Sequence, residues 1–294
     1  MTGLPGLAEL TIAGRSVAEY VDGSSLPAEL APRPFLHPVR TLAGTVVSDA
    51  CPKDHRWHLG VGVAVQDVGG ANLWGGRTYV REHGYVWRGD HGSIQHRGFS
   101  RQEPDAVTAE LDWLGPGGER LLRETRSMRA TVLPPDVETS AWQLDLTLTL
   151  SNPGAGDVRL GSPGSNGRRG AGYGGFFWRL PALDDAHVWT ESGDGLEDVH
   201  GSTTWWLAVA CLTGGRPATL LATQPGDRVP DPWFVRLREY PGFGVSLAPD
   251  APVRVPSGGR IERRLRVLII DGMPVPDVVW RRLSARRSQG DTRR

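Results

Sequence analysis

From Trp142 to Leu150 every even position is apolar (Trp142, Leu144, Leu146, Leu148, Leu150) and every odd one is polar (Gln143, Asp145, Thr147, Thr149). Successive side chains of a strand point to opposite faces, so this segment reads as a half-buried strand with one wet face. Val107, Ala109, Leu111 and Trp113 alternate with Thr108, Glu110 and Asp112 in the same way. The turn residues Gly115-Pro116-Gly117-Gly118 follow, then a second run through Met128, Ala130 and Val132, and together they predict a long hairpin. Ile261, Leu265, Val267 and Ile269 share one face of a further strand, with Arg264 and Arg266 on the other. The apolar runs Val61 to Val65, Trp205 to Leu212 and Phe243 to Leu247 predict strands buried on both faces.

With 39 glycines and 23 prolines among 294 residues, about a fifth of the chain is turn-forming, below the roughly 25–30% of low-complexity sequences. The expected fold is all-β: a large antiparallel β-sandwich forming a single domain over residues 1–287. Residues 151–172, with seven glycines and two prolines, are expected to form a long loop, of the kind that covers a site or stays mobile. One helix is predicted near the C-terminus. Pro276-Asp277 opens it, Val279 and Leu283 share a face, and Arg281, Arg282, Arg286 and Arg287 gather at its end, matching the helix dipole. Residues 288–294 read as a frayed tail.

Lys plus Arg equals Asp plus Glu at 33 each, so the net charge is zero. A nucleic-acid platform or a polybasic membrane binder needs a surplus of positive charge. The longest wholly apolar run, Trp205 to Leu212, has eight residues, against roughly 20 for a spanning helix. No basic segment precedes an apolar stretch at the N-terminus, which makes the cytoplasm the expected location. Cys51 and Cys211 match no metal or redox spacing and are expected to be reduced, buried thiols.

Five of the eight histidines, His55, His58, His83, His91 and His96, fall in one stretch with Asp54, Asp67, Glu82, Asp90, Trp57, Trp74 and Trp87. His55 and His58 are three apart, which on a strand sends them to opposite faces, so their convergence requires a turn or loop. His96 sits on a predicted strand beside Ile94, with Glu82 and Asp67 as nearby carboxylates for a general acid or base. Arg179 stands among aromatics in Phe176-Phe177-Trp178-Arg179 and suits vicinal hydroxyls or a carboxylate, stacking on Trp178, or a core acid. His200-Gly201 precedes Trp205-Trp206. There is no Walker loop, HExxH helix, paired CxxC, dinucleotide fingerprint or GxSxG elbow.

Several segments together resemble a bacterial family labelled "methane oxygenase PmoA" or a domain of unknown function. They are Pro34 to Val39, Pro52 to Gly60, Asp67 to Trp74, Gly175 to Pro181, His200-Gly201 with Trp205, Pro232 to Arg236 and Leu265 to Gly272. The label implies a membrane monooxygenase subunit, which this chain lacks the apolar spans to form. The strand-rich pattern is similar to the galactose-mutarotase-like supersandwich. That resemblance implies a histidine and a carboxylate doing acid–base work on a sugar. On it, His55, His58, His96 and Glu82 are the candidate catalytic residues, and Arg179, Trp74, Asp67, His200 and Trp57 the candidate substrate contacts. Gly69-Gly70 stands where the family commonly has Asn-Gly.

The leading expectation is a carbohydrate-active protein catalysing epimerisation or β-elimination without a cofactor. One alternative is a divalent transition-metal site built from Asp54, His55, His58 and His96, or with Glu82. Another is a non-catalytic carbohydrate-binding module. The expected partner is a small sugar-like molecule, with neither nucleic acid nor membrane.

Overall fold

The computed structural model describes residues 4–133 and 140–274. Two antiparallel sheets carry the architecture. The larger has eight strands in the order Asp185–Thr190, Trp206–Thr213, Arg216–Thr223, Arg260–Asp271, Ala141–Ser151, Arg120–Val132, Ala106–Leu114 and Ser93–Glu103. The other has seven, in the order Gly6–Ile12, Arg15–Val21, Phe35–Val39, Val61–Ala64, Gly175–Arg179, Gly242–Val245 and Trp233–Arg236. The sequence expectation of an all-β antiparallel sandwich is met.

Period-2 alternation becomes the sandwich directly. Within Ala141–Ser151, from Trp142 onward the even residues are buried and the odd ones half-buried, and Trp142, Leu144, Leu146, Leu148 and Leu150 enter a core shared with the second sheet. The opposing sheet contributes Val17, Leu36, Val61, Val63, Phe176, Trp178 and Phe243 to the same core. The wet face is cross-linked instead: Asp145 opposes Arg266 in register, and the Arg266 Nε donates to its carboxylate at 2.7 Å. The predicted hairpin forms as Ala106–Leu114 against Arg120–Val132, closed by Gly115 N–H donating to the Glu119 carbonyl.

Several expectations are refined. Residues 151–172 are not structureless: Val158–Gly161 is a strand pairing with Val253–Val255 and Asp67–Val68. Ladder hydrogen bonds there outweigh the local glycine content. Cys51 and Cys211 are both free, Cys211 buried and Cys51 only half-buried. The proposed C-terminal helix and tail lie outside the described residues. Among the described residues no helix is long and apolar enough to cross a membrane.

Candidate functional site

Strand Gly175–Arg179 is buried along its whole length, yet its two faces do different things. Phe176 and Trp178 point into the inter-sheet core. Phe177 packs instead with Trp74, Tyr173, Phe234, Ala64 and Ala171 in a separate aromatic cluster, with Trp57 and Tyr240 at its margin. Arg179, two residues on, shares the Phe177 face. The candidate site is built on this side of the seven-stranded sheet, turned away from the larger sheet.

The imidazoles arrive on a turn. His58 N–H donates to the His55 carbonyl at 2.9 Å and Cys51 N–H to the His58 carbonyl at 2.9 Å, just before strand Val61–Ala64. The turn overrides the opposite-face geometry that an i, i+3 pair has on a strand. It stacks His55 on His58, with Tyr240 4.5 Å from the His55 ring and Phe177 5.0 Å from that of His58.

A neighbouring turn brings Trp74. The Asn72 Oδ1 accepts from the N–H groups of Trp74 and Gly75, both at 2.9 Å. Gly75 and Gly76 have φ of 95° and 69°, and a Cβ on Gly76 would fall 2.6 Å from the Trp57 ring. Only glycine permits both this conformation and this approach. The buried Arg33 guanidinium then ties the two tryptophan segments together. Its Nη2 donates to the Trp57 carbonyl at 2.7 Å and its Nη1 to those of Trp74, Ala31 and Leu30 at 3.0–3.1 Å. Surrounded by neutral carbonyls, that guanidinium is pulled down by burial to a pKa of about 9.

Around these residues lies a cleft of about 260 Å³, lined by His55, Trp57, His58, Gln66, Trp74, Gly75, Arg77, Tyr85, Arg168, Tyr173, Glu239 and Tyr240. Its size sits just under the roughly 300–1,000 Å³ typical of drug-sized ligands, so it suits a molecule of about one ring. His55 Nδ1 lies 2.8 Å from the Asp54 carboxylate, and Asp54 also faces the Arg179 guanidinium at 3.6 Å. Burial pushes the Asp54 pKa up, but the bond to His55, its own backbone amide and Arg179 outweigh this and hold it below the usual value.

His58 behaves differently. Burial, reinforced by His55, Arg179 and Arg33, drives its pKa well below that of a free histidine. Arg179 Nη1 lies 3.4 Å from His58 Nδ1. Guanidinium has no acceptor, so Nδ1 accepts and the hydrogen resides on Nε2. Arg179 Nε is buried without a hydrogen-bond partner among the described residues. Burial also raises the pKa of Tyr173 and Tyr240, keeping both phenols protonated. Gln66 Nε2 donates to the Tyr173 hydroxyl at 2.8 Å, which meets the Tyr85 hydroxyl at 3.0 Å, and Arg168 Nη1 donates to Tyr85 at 2.6 Å.

Of the sequence candidates, His55, His58, Arg179, Trp57 and Trp74 come together here, with Asp54. The others do not. His96 lines a separate cavity of about 450 Å³ and bonds the Tyr20 hydroxyl at 3.0 Å. It is carried there by the edge strand of the larger sheet. Glu82 is exposed in the turn joining Thr78–Val80 to Gly84–Val86, at φ 67°. Asp67 is engaged by Arg159 at 2.7 Å and Asn166 at 3.0 Å. His200 Nδ1 accepts from Val235 N–H at 3.3 Å and the ring packs on Phe234, one layer from the cleft. The metal alternative loses its set with His96, and among the described residues no group of three or more His, Cys, Asp or Glu side chains is placed to hold a metal ion.

Sequence reasoning missed Arg33, Gln66, Arg77, Tyr85, Glu239 and Tyr240 as site components. Tyr85 lies on the short strand Gly84–Val86 and the others on loops, with no shared periodicity. Tyr173 and Arg168 lie in glycine-rich stretches whose sequence does not assign either of them to a site.

Comparisons with known proteins complete the picture. An alpha-galactosidase from Lactobacillus brevis aligns with 85% of this chain at 10% identity and a TM-score of 0.38, and the chain spans 33% of that enzyme's length. No curated protein matches. The family model that matches covers residues 8–281 and is described as a family of unknown function (DUF6807), which gives the methane-oxygenase label no support. The chain therefore belongs to the DUF6807 family of unknown function.

Proposed function

We propose that the cleft binds a sugar or sugar-like molecule and performs acid–base chemistry on it, with His55 as the proton-transfer group. The observation that carries this reading is the Asp54–His55 bond of 2.8 Å at the side of an aromatic-lined cleft. A carboxylate on Nδ1–H fixes the tautomer, leaving the Nε2 lone pair free to take a proton and stabilising the imidazolium that results. The half-buried Trp57 offers apolar surface to a ring, and Trp74, 4% exposed, backs the cleft from within the aromatic cluster. His58 Nε2–H and the Tyr240 hydroxyl, both held neutral, are donors for an oxygen on which negative charge develops.

The pair is therefore divided in labour: His55 accepts, His58 donates. A proton leaves the substrate for His55 Nε2 and its bonding electrons stay on the substrate. Return of the proton to the other face gives epimerisation. Loss of a neighbouring oxygen substituent, which takes a proton as it leaves, gives elimination.

A thermal-shift screen against monosaccharides and their derivatives, followed by NMR detection of products, tests the reading. His55→Gln is expected to reduce turnover at least about 10²-fold while ligand still binds. Wild-type turnover in that variant would overturn the assignment.

A further inference from the structure

We infer that the ligand of this cleft carries a carboxylate, making it an acidic sugar rather than a neutral one; the inference rests on the sugar reading above. Arg77 and Arg168 both line the cleft, and both are exposed. Arg77 has no hydrogen bond or ion pair from its side chain among the described residues. Arg168 gives one N–H to the Tyr85 hydroxyl at 2.6 Å and rests its guanidinium 4.9 Å over the Tyr85 ring, leaving its other N–H donors open.

Several arginines elsewhere are held by carboxylates, Arg159 by Asp67, Arg263 by Asp231 and Arg266 by Asp145, all at 2.6–2.7 Å; what sets Arg77 and Arg168 apart is that they line the cleft. The one carboxylate lining the cleft, Glu239, lies beyond ion-pair distance of both arginines. Two forked, unmatched guanidinium groups beside a small aromatic cleft form a receptor for a planar anion. A carboxylate fits the proposed chemistry better than a phosphate. It acidifies the C–H bond next to it, and the same arginines would stabilise the negative charge left when His55 removes that proton.

The test is binding of matched pairs, galacturonate against galactose and glucuronate against glucose, with glucose 6-phosphate as a third arm. Calorimetry on wild type is expected to show at least one acid bound tenfold or more tighter than its neutral twin, with the preference weakening as salt is raised. In the double variant Arg77→Gln, Arg168→Gln the preference should fall below threefold. The matching double lysine variant should keep part of it, since charge remains while the fork is lost. Equal binding of acid and neutral twins would overturn this inference and leave the sugar reading standing. A preference for the phosphate would also overturn it, and an acid preference that survives in the double glutamine variant would overturn the assignment of Arg77 and Arg168 as its receptor. If no member of the panel binds, the sugar reading falls with it.

Discussion

The imidazole of His55 lies against that of His58, ring centroids 4.8 Å apart and planes 23° from parallel. Two positive charges so placed repel, and His58 is the more deeply buried, at 2% exposure. Burial holds His58 neutral, whereas the His55 ring bonds the Asp54 carboxylate through Nδ1. The two identical side chains thus have unequal access to water and to counter-charge, which is the condition for the separate roles proposed for them.

Asp54→Asn tests the role of the carboxylate. It should lower kcat by about 10²-fold or more, since an amide no longer enforces the Nδ1–H tautomer or stabilises the imidazolium. The side chain is 46% exposed, so thermal stability should stay close to wild type. Steady-state kinetics beside a melting curve separate the two effects, and unchanged kcat would remove Asp54 from the proposed machinery.

His58 makes stability depend on pH in a definite direction. Its folded pKa lies well below that of a free histidine because of burial, then His55, Arg179 and Arg33, whereas the unfolded chain takes up that proton near pH ~6.5. Stability is fully present above that pH and declines as pH falls toward the folded value, by at most about 1.4 kcal/mol per pH unit for the one group. His37, His96 and His200 are lowered too, chiefly by burial, and add in the same sense. Urea midpoints between pH 7 and 5 should fall less steeply in His58→Gln than in wild type; equal slopes would show that His58 is not held neutral.

Arg33→Met is expected to destabilise the fold by about 2–4 kcal/mol, because it strands carbonyls of Leu30, Ala31, Trp57 and Trp74 in the interior. The same variant should weaken ligand binding, since Trp57 and Trp74 lose their common anchor. Urea unfolding and calorimetry check the two parts.

Deep between the sheets, Glu124 accepts from Trp113 Nε1 at 2.6 Å and from Arg126 Nη2 at 2.8 Å. Glu124→Ala leaves a buried cation and an indole N–H unpaired, at a cost of about 3–5 kcal/mol. Removing the exposed Glu103 partner of Arg101 should leave the urea midpoint where it is. Comparable losses in both variants would contradict this contrast.

Strand content was legible because alternation is a local property: Trp142 to Leu150 carry their own instruction about which face is buried. The same logic located the hairpin around Gly115 to Gly118. It exposed no part of the pairing between Val158–Gly161 and Val253–Val255, because glycines around a short strand dilute its pattern. Within the site, His55, His58 and Trp74 were found by density in sequence. Tyr240 and Arg168 were not, since each is a single residue on a loop remote in the chain. Glu82 and His96 satisfied the density criterion and still lie elsewhere, for nearness along the chain does not control on which side of a sheet a residue emerges.

The amino-acid string by itself determined an all-β chain, its strand faces, its zero net charge and a histidine-rich segment worth attention. Only tertiary structure decided that His55 and His58 stack, that Asp54 and Arg179 serve one imidazole each, and that Arg77 and Arg168 stand unmatched beside an aromatic cleft. Alternation is written in neighbouring residues two apart, whereas a site is written in distances between segments far apart in the chain, and those are set by how sheets register and loops close.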